Sequence, residues 1–179
     1  ALSAGATDIV FKIGDDIPVI VGEPVTLQVD EDGLADGNTD SGQTGEQDFG
    51  GQVTANVDLT TVFDVGADQP GTFQFTSGAV AALNALGLTS DQVAITHVLA
   101  GDTITGSAGG NDIYTIQVTA GGTLTVTLID QIDHVDDPDD EETNLSINLG
   151  ALIEVVDEDG DALSAGATDI VFKIGDDIP

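Results

Sequence analysis

Cysteine, methionine and tryptophan are absent from this sequence, and basic residues are nearly absent. Two lysines stand against 33 aspartates and glutamates, so the formal net charge is −31. Without cysteine, no disulfide framework can stabilise the fold. Without a basic patch, the surface cannot displace the counterions of a phosphate backbone, which excludes nucleic acid as a partner. No apolar run reaches the length of a transmembrane span, so we expect no membrane insertion.

Apolar residues make up 40 % of the chain, which favours a folded protein with an acidic surface over a disordered one. The length of 179 residues suits a single domain. A small or highly charged domain without disulfides needs another source of stability, and bound metal is the obvious candidate.

The chain begins and ends with the same 18 residues. Residues 1–18, ALSAGATDIVFKIGDDIP, are identical to residues 162–179, so the sequence holds one period of 161 residues plus an overlap. This pattern indicates a fragment of a tandem array, in which identical joints suit a spacer or fibre.

Proline interrupts a strand, which places the joints at 14–18 and 175–179. We therefore predict that residues 1–18 are the last strand and linker of a preceding repeat, and that residues 19–179 form one complete repeat. The C-terminal copy should be docked, and the N-terminal copy should project or pair with a neighbouring molecule.

Alternating apolar and polar residues predict an all-β fold. In NDIYTIQVTAGGTLTVTLID (111–130), Tyr114, Ile116 and Val118 share one face of a hairpin with three apolar residues after the glycine turn. Further strands are predicted near 24–29, 52–58, 72–76, 93–99, 145–149, 151–156 and 170–174. One short helix is predicted near 78–87, with Ser77 as its N-cap and Gly87 as its C-cap. Many short strands with glycine-rich turns indicate an antiparallel β-sandwich.

Three acidic segments predict calcium sites. They are VDEDGLADGNTDSG (29–42), DQIDHVDDPDDEE (130–142) and VDEDGDALSAG (156–166). Alternate residues in a tight turn can direct their oxygens to one centre, and calcium prefers six to eight such oxygens. The competing interpretation is a set of solvated acidic loops. The joints add acids of their own, and a calcium ion bridging GDDIP to a loop of the next unit would make a short connector rigid.

The sequence resembles the repeat domain of giant bacterial repeats-in-toxin adhesins, which are exported by type I secretion and hold cells in biofilms. The resemblance rests on VDEDGLADG, IDHVDDPDDEETNLSINL, VVDEDGDAL and the closing strand with GDDIP, in the order that the family shows. It implies an Ig-like sandwich, many tandem copies, calcium at the domain junctions and an extracellular location on the bacterial cell surface. The implied function is extension, in which the repeats hold a distal ligand-binding region away from the cell. End-to-end neighbouring repeats would be the partners, and the isolated fragment would be a monomer.

The acidic segments and the resemblance together give a set of predicted calcium ligands. The resemblance carries over best to the 157–161 loop and to the two joints, and less well to the 130–142 segment. The predicted ligands are Asp15, Asp16, Asp30, Asp32, Asp36, Asn38, Asp40, Asp133, Asp136, Asp139, Asp157, Asp159, Asp161, Asp176 and Asp177.

A binding module and an enzyme are the two competing functions. A calcium-dependent carbohydrate- or surface-binding module could use the row of Thr123, Thr125 and Thr127, although such a row also suits the solvent side of a strand. An enzyme is not expected, because His97 and His134, the only histidines, lie in no spacing that marks a metalloprotease or a nucleophile–base pair.

Overall fold

The structure, a computed structural model, describes residues 14–35, 37, 49–134 and 145–176. Strands dominate this part of the chain, and one short α-helix, α1 (Ala79–Ala85), interrupts them. The strands in chain order are β1 (Val19–Ile20), β2 (Val25–Asp30), β3 (Thr54–Asp58), β4 (Phe63–Asp64), β5 (Thr72–Phe75), β6 (Thr89–Ser90), β7 (Val93–Ala94), β8 (Thr96–Ala100), β9 (Thr103–Ala108), β10 (Asn111–Val118), β11 (Thr123–Leu128), β12 (Leu145–Asn148), β13 (Ile153–Val156), β14 (Ala162–Ser164) and β15 (Ile170–Gly175). None of the described helices has the length and apolar character needed to cross a membrane.

Two layers of sheet enclose one apolar core. A five-stranded antiparallel sheet has the order β3-β11-β10-β9-β8, and two three-stranded sheets have the orders β12-β15-β2 and β14-β13-β5. The layers meet at the rings of Tyr114 and Phe172, whose centroids lie 5.9 Å apart in a T-shaped arrangement. The predicted all-β sandwich is confirmed.

The β10–β11 hairpin supplies the centre of the core. Its apolar residues pair across the strands as Tyr114 with Leu128, Ile116 with Val126 and Val118 with Leu124. All six are at most 2 % exposed. Burying a side chain of this size stabilises the fold by about 1.5–3 kcal/mol. The predicted inward face of the hairpin is therefore confirmed.

The C-terminal copy of the repeated segment lies inside the sandwich. Ile170, Phe172 and Ile174 on β15 are fully buried, as their alternation predicts. β15 pairs antiparallel with β12 and parallel with β2, which is the one departure from antiparallel pairing among the described strands. A parallel pair needs a long crossover connection, and here nearly the whole domain lies between the two strands.

Helix α1 lies against the free edge of the five-stranded sheet. The backbone N–H of His97 on β8 donates to Asn84 Oδ1 in the helix at 2.9 Å, so the helix occupies part of an edge that is otherwise open to pairing. The N-cap residue is Gly78 without a side-chain hydrogen bond, so the prediction that Ser77 caps the helix is wrong. The C-cap residue is Leu86, and Gly87, the predicted C-cap, follows it with φ +68°, a conformation that favours glycine.

The connector at 14–18 contains no strand, and Pro18 is its buried residue. It leads into β1, which pairs with β4, and then to the N-terminal end of β2. Residues 1–13 lie outside the described part of the chain, so the proposed repeat boundaries stay a prediction.

Candidate metal centre

The loop between β13 and β14 folds around one carboxylate. Oδ1 of Asp157 accepts hydrogen bonds from the backbone N–H groups of Gly160 at 3.0 Å and Asp161 at 2.7 Å. The backbone N–H of Asp157 donates to the carbonyl of Asp161 at 3.1 Å. Gly160 has φ +105°, a value that side chains rarely allow, so glycine is needed for this turn. The sequence DEDGD thus folds locally into a closed loop with its acids on a fixed frame.

The second oxygen of Asp157 is the least satisfied polar atom of this loop. Asp157 is 5 % exposed, and its buried Oδ2 has no hydrogen-bond partner. Burial of an unpaired carboxylate oxygen is costly, and natural proteins normally pair such atoms or place a cation against them. Within the described residues, no ion pair joins the sole described lysine, Lys173, to this carboxylate. The loop therefore presents an oxygen ligand that lacks a partner.

Two groups of carboxylates meet at Asp159. Oxygens of Asp157, Asp159 and Asp161 lie within 4.8 Å of one another, and so do oxygens of Asp15, Asp68 and Asp159. We call these five residues the head cluster. Asp15 comes from the connector, Asp68 from the loop between β4 and β5, and the other three from the β13–β14 loop. Residues from three distant parts of the sequence thus bring only carboxylate oxygens together, and such oxygens are the ligands that Ca²⁺ and Mg²⁺ prefer.

Without a cation, the carboxylates of the head cluster repel one another. A hydrogen bond that protonated Asp159 makes to the adjacent carboxylate of Asp157 is the largest cause that raises the pKa of Asp159 from 3.8 to about 6. Partial desolvation and the charges of Asp15, Asp157 and Asp161 raise the pKa further. Neighbouring carboxylates cannot all ionise at their usual pH. A bound divalent cation would relieve this repulsion by supplying the opposite charge.

Backbone contacts dock the connector beside the head cluster. Oδ2 of Asp16 accepts a hydrogen bond from the backbone N–H of Ala67 at 2.6 Å. Gly66, with φ +68°, packs directly against the same carboxylate. The backbone N–H of Glu158 donates to the carbonyl of Asp68 at 3.2 Å, which holds the two loops of the domain together. The connector is therefore placed on the domain by specific contacts.

A second group of side chains that could hold a metal ion lies at the C-terminal ends of β2 and β15. We call Glu31, His134 and Asp176 the foot cluster, because their ligand atoms lie within 4.8 Å of one another. Glu31 is 4 % exposed, and its Oε1 accepts from the backbone N–H of Ile132 at 2.7 Å. His134 Nε2 lies 3.4 Å from the same oxygen. The foot cluster is mixed in chemistry and thus less specific for calcium than the head cluster.

Four predicted ligands lie outside these groups. Asp30 accepts hydrogen bonds from the backbone N–H groups of Asp32, Phe49 and Gly51, so it organises its own loop. Asp133 accepts from the backbone N–H of Gln92 at 2.7 Å. Asp32 is buried nearby but belongs to no described metal-ligating group. Asp16 accepts the hydrogen bond from the Ala67 N–H and belongs to neither cluster. The predicted ligands that lie outside the described residues are Asp36, Asn38, Asp40, Asp136, Asp139 and Asp177.

The sequence prediction missed Asp68, Glu31 and His134 as members of these groups. Asp68 lies in GADQP, which has a single acid and no alternating spacing. Glu31 stands between two predicted ligands, Asp30 and Asp32, and His134 lies in the 130–142 segment, where only aspartates are predicted as ligands. No local signal marks Asp68, since its role depends on the packing of two loops.

A separate polar network is buried between α1 and the sheet. His97 Nδ1 lies 2.8 Å from Asn84 Oδ1, and His97 Nε2 lies 2.6 Å from the hydroxyl of Tyr114. Asn84 Oδ1 already accepts the backbone N–H of His97, so this atom is the amide oxygen and Nδ1 must carry the proton. Nε2 then accepts from the tyrosine hydroxyl. Burial lowers the pKa of His97 and raises that of Tyr114, so this network is neutral and structural.

Comparisons with known proteins assign the chain to a family of domains and give no further match. The profile of a domain of unknown function, DUF5801, matches residues 26–170. No curated protein and no solved structure matches the chain. The match covers most of the sandwich, including β13 and the β13–β14 loop. The chain therefore belongs to the DUF5801 family of domains.

Proposed function

We propose that this protein is a structural extender domain of a large bacterial cell-surface adhesin, in which calcium makes the joint between successive repeats rigid. The observation that carries the proposal is the head cluster, where Asp15 of the connector meets Asp68 and Asp159 of the following domain. A cation held by all three would tie the connector to the domain. Extension of a distal ligand-binding region for adhesion and biofilm formation would follow from a row of such joints.

The charge of the chain supports a calcium-dependent change in stiffness. At a net charge of −31, self-repulsion loosens loops and connectors when no cation is bound. Extracellular calcium modules typically bind at roughly 0.1–1 mM, so the chain would be slack in the calcium-poor cytoplasm and ordered outside the cell. Free calcium at about 100 times the dissociation constant would stabilise the fold by about 2.7 kcal/mol per site. Such a chain would suit export by type I secretion.

The test is thermal unfolding of the full chain in a calcium series, with magnesium and a chelator in parallel. We expect a rise in Tm that is specific to millimolar calcium. Asp157→Asn keeps the size and an oxygen for the Gly160 and Asp161 N–H groups but removes the charge, so it should remove much of the rise. Asp112→Asn is the matched control, because Asp112 is exposed and outside every described metal-ligating group. Equal Tm values in chelator and calcium would contradict the proposal.

The alternative of a calcium-dependent carbohydrate- or surface-binding module receives less support. Its candidate face is the threonine row on β11, and one of these hydroxyls is already paired, since Thr54 Oγ1 donates to Thr127 Oγ1 at 3.3 Å. The row lies beside β3 within the five-stranded sheet, as a solvent-facing row would.

A further inference from the structure

The connector and the segment after β15 are the same stretch of the repeat. Because residues 1–18 and 162–179 are identical, Asp15 corresponds to Asp176 and Gly14 to Gly175. At a joint between two repeats these two aspartates are one residue. The present chain therefore displays the two surroundings of that residue separately, one at each end of the domain.

The two surroundings contain different partners. Asp15 lies with Asp68 and Asp159 in the head cluster of the domain that follows the connector. Asp176 lies with Glu31 and His134 in the foot cluster of the domain that precedes the joint. The foot cluster is at the C-terminal ends of β2 and β15, whereas the connector leads to their N-terminal ends. The two clusters thus lie at opposite ends of the parallel strand pair.

We propose that a single aspartate at each internal joint faces both clusters at once and so links the foot of one repeat to the head of the next. The partner of this interaction surface is a second copy of the same domain. A carboxylate has two oxygens and about four lone-pair directions, so one aspartate side chain can contact the foot cluster and the head cluster at the same time. The inference rests on the proposed function for the array and for the cation at the head cluster.

The head cluster has a feature that distinguishes it from an ordinary group of surface acids. One of its members is Asp157, which is 5 % exposed and whose buried Oδ2 has no hydrogen-bond partner. The same group shares Asp159 with Asp15. A cation bound by Asp159 together with Asp15 and Asp68 would thus order the joint aspartate. Cation binding at the head cluster of one repeat would then change the surroundings of Glu31 and His134 in the preceding repeat.

The test compares the present chain with a two-repeat chain, made of residues 1–179 followed by a second copy of residues 19–179. Isothermal titration with calcium alone measures affinity at the head clusters. The imidazole NMR signals of His134 report on the foot cluster, and His97 is an internal reference, since each repeat has only these two histidines. Asp112→Asn is the control for loss of one negative charge.

In the one-repeat chain we expect each substitution to affect one cluster only. Asp15→Asn should weaken calcium binding at the head cluster about tenfold or more, a loss typical of a removed metal-site group, and leave the His134 signals in place. Asp176→Asn should shift the His134 signals and leave the affinity of the head cluster unchanged. In the two-repeat chain, Asp176→Asn at the internal joint should do both, weakening one head cluster and shifting one of the two His134 signal sets.

The contradicting results are distinct. If the internal substitution in the two-repeat chain produces only one of the two effects, the shared aspartate is refuted while the calcium-dependent extender stands. If the unmodified one-repeat chain binds no calcium, both the inference and the proposed function are refuted.

Discussion

Asp15 and Asp159 place carboxylate oxygens within 4.8 Å of each other, although one lies in the connector before β1 and the other lies between β13 and β14. This contact sets an acid of the connector against the acids of the domain that follows. Two carboxylates at this distance repel unless a proton or a cation lies between them. The position of the connector on the domain therefore depends on what lies between these carboxylates.

Asp159→Asn should have opposite effects on stability in chelator and in calcium. In chelator the substitution removes a repelling charge from the head cluster, so Tm should rise or stay unchanged. In calcium it removes a ligand shared by two groups, so Tm should fall below that of the unmodified chain, by about 2–4 °C for each kcal/mol of lost stability in a domain of this size. Thermal unfolding by circular dichroism measures both. A purely structural aspartate would shift Tm in the same direction in both buffers.

Calcium affinity should depend on pH through the head cluster. The folded pKa of Asp159, raised by Asp157 to about 6, lies above its usual 3.8, so the proton must leave before the cation binds. Affinity should be constant above about pH 7 and fall as the pH drops through 6, with proton release on binding near pH 6. Titration calorimetry in buffers of different ionisation enthalpy measures this release. Without calcium, lowering the pH has the opposite effect. Protonation of Asp159 relieves the repulsion, so this group increases the stability of the fold as the pH falls from 6 towards 3.8.

The buried His97 should make the fold less stable in mild acid. Its folded pKa lies below the ordinary 6.5, so the neutral histidine contributes stability above pH 6.5 that is lost as pH falls towards the folded value. NMR titration should show His97 remaining neutral and Nδ1-protonated well below pH 6.5. A His97 that titrates at 6.5 would contradict the buried network.

Tyr114→Phe should destabilise the domain without changing the head cluster. The change keeps the ring that packs on Phe172 but removes the hydroxyl that donates to His97 Nε2. Leaving a buried acceptor unsatisfied costs about 1–3 kcal/mol. Urea unfolding should report this loss, and calcium affinity by calorimetry should stay unchanged. An equal loss of calcium affinity would show that the network and the head cluster are coupled.

Gly66→Ala should displace the connector from the domain. A Cβ at this position would overlap the Asp16 carboxylate, so the contact that docks the connector would open and calcium affinity at the head cluster should fall. Gly109→Ala is a matched control, because Gly109 has a similar positive φ of +60° and open space around its Cα. Both variants should lose about 1 kcal/mol from backbone strain. If both leave calcium affinity unchanged, the docked connector does not build the site.

The sequence predicted the parts of this structure that depend on local periodicity. The inward face of the β10–β11 hairpin and the buried alternation of β15 follow directly from apolar residues spaced two apart. The D-x-D-x-D spacing likewise predicted that Asp157, Asp159 and Asp161 would converge. In each case the residues that define the feature are close in sequence, so the pattern is visible without the fold.

Features that depend on packing between distant segments were not predictable. Asp68 joins the head cluster only because two loops meet, and Glu31 and His134 meet only because β2 ends beside the loop that follows β11. The prediction that Ser77 is the N-cap was wrong because Gly78, the residue before Ala79, occupies that position. The parallel pairing of β2 with β15 is also set by the topology of the whole domain.

Calcium should make the connector rigid, and backbone ¹⁵N relaxation of residues 14–17 measures this rigidity, since Pro18 has no amide N–H. In calcium, the connector amides should reach order parameters near 0.85, as in a rigid backbone, while in chelator they should fall below about 0.6. The amides of β10 and β11 serve as the rigid reference in both conditions. Connector order parameters that are the same with and without calcium would contradict the account.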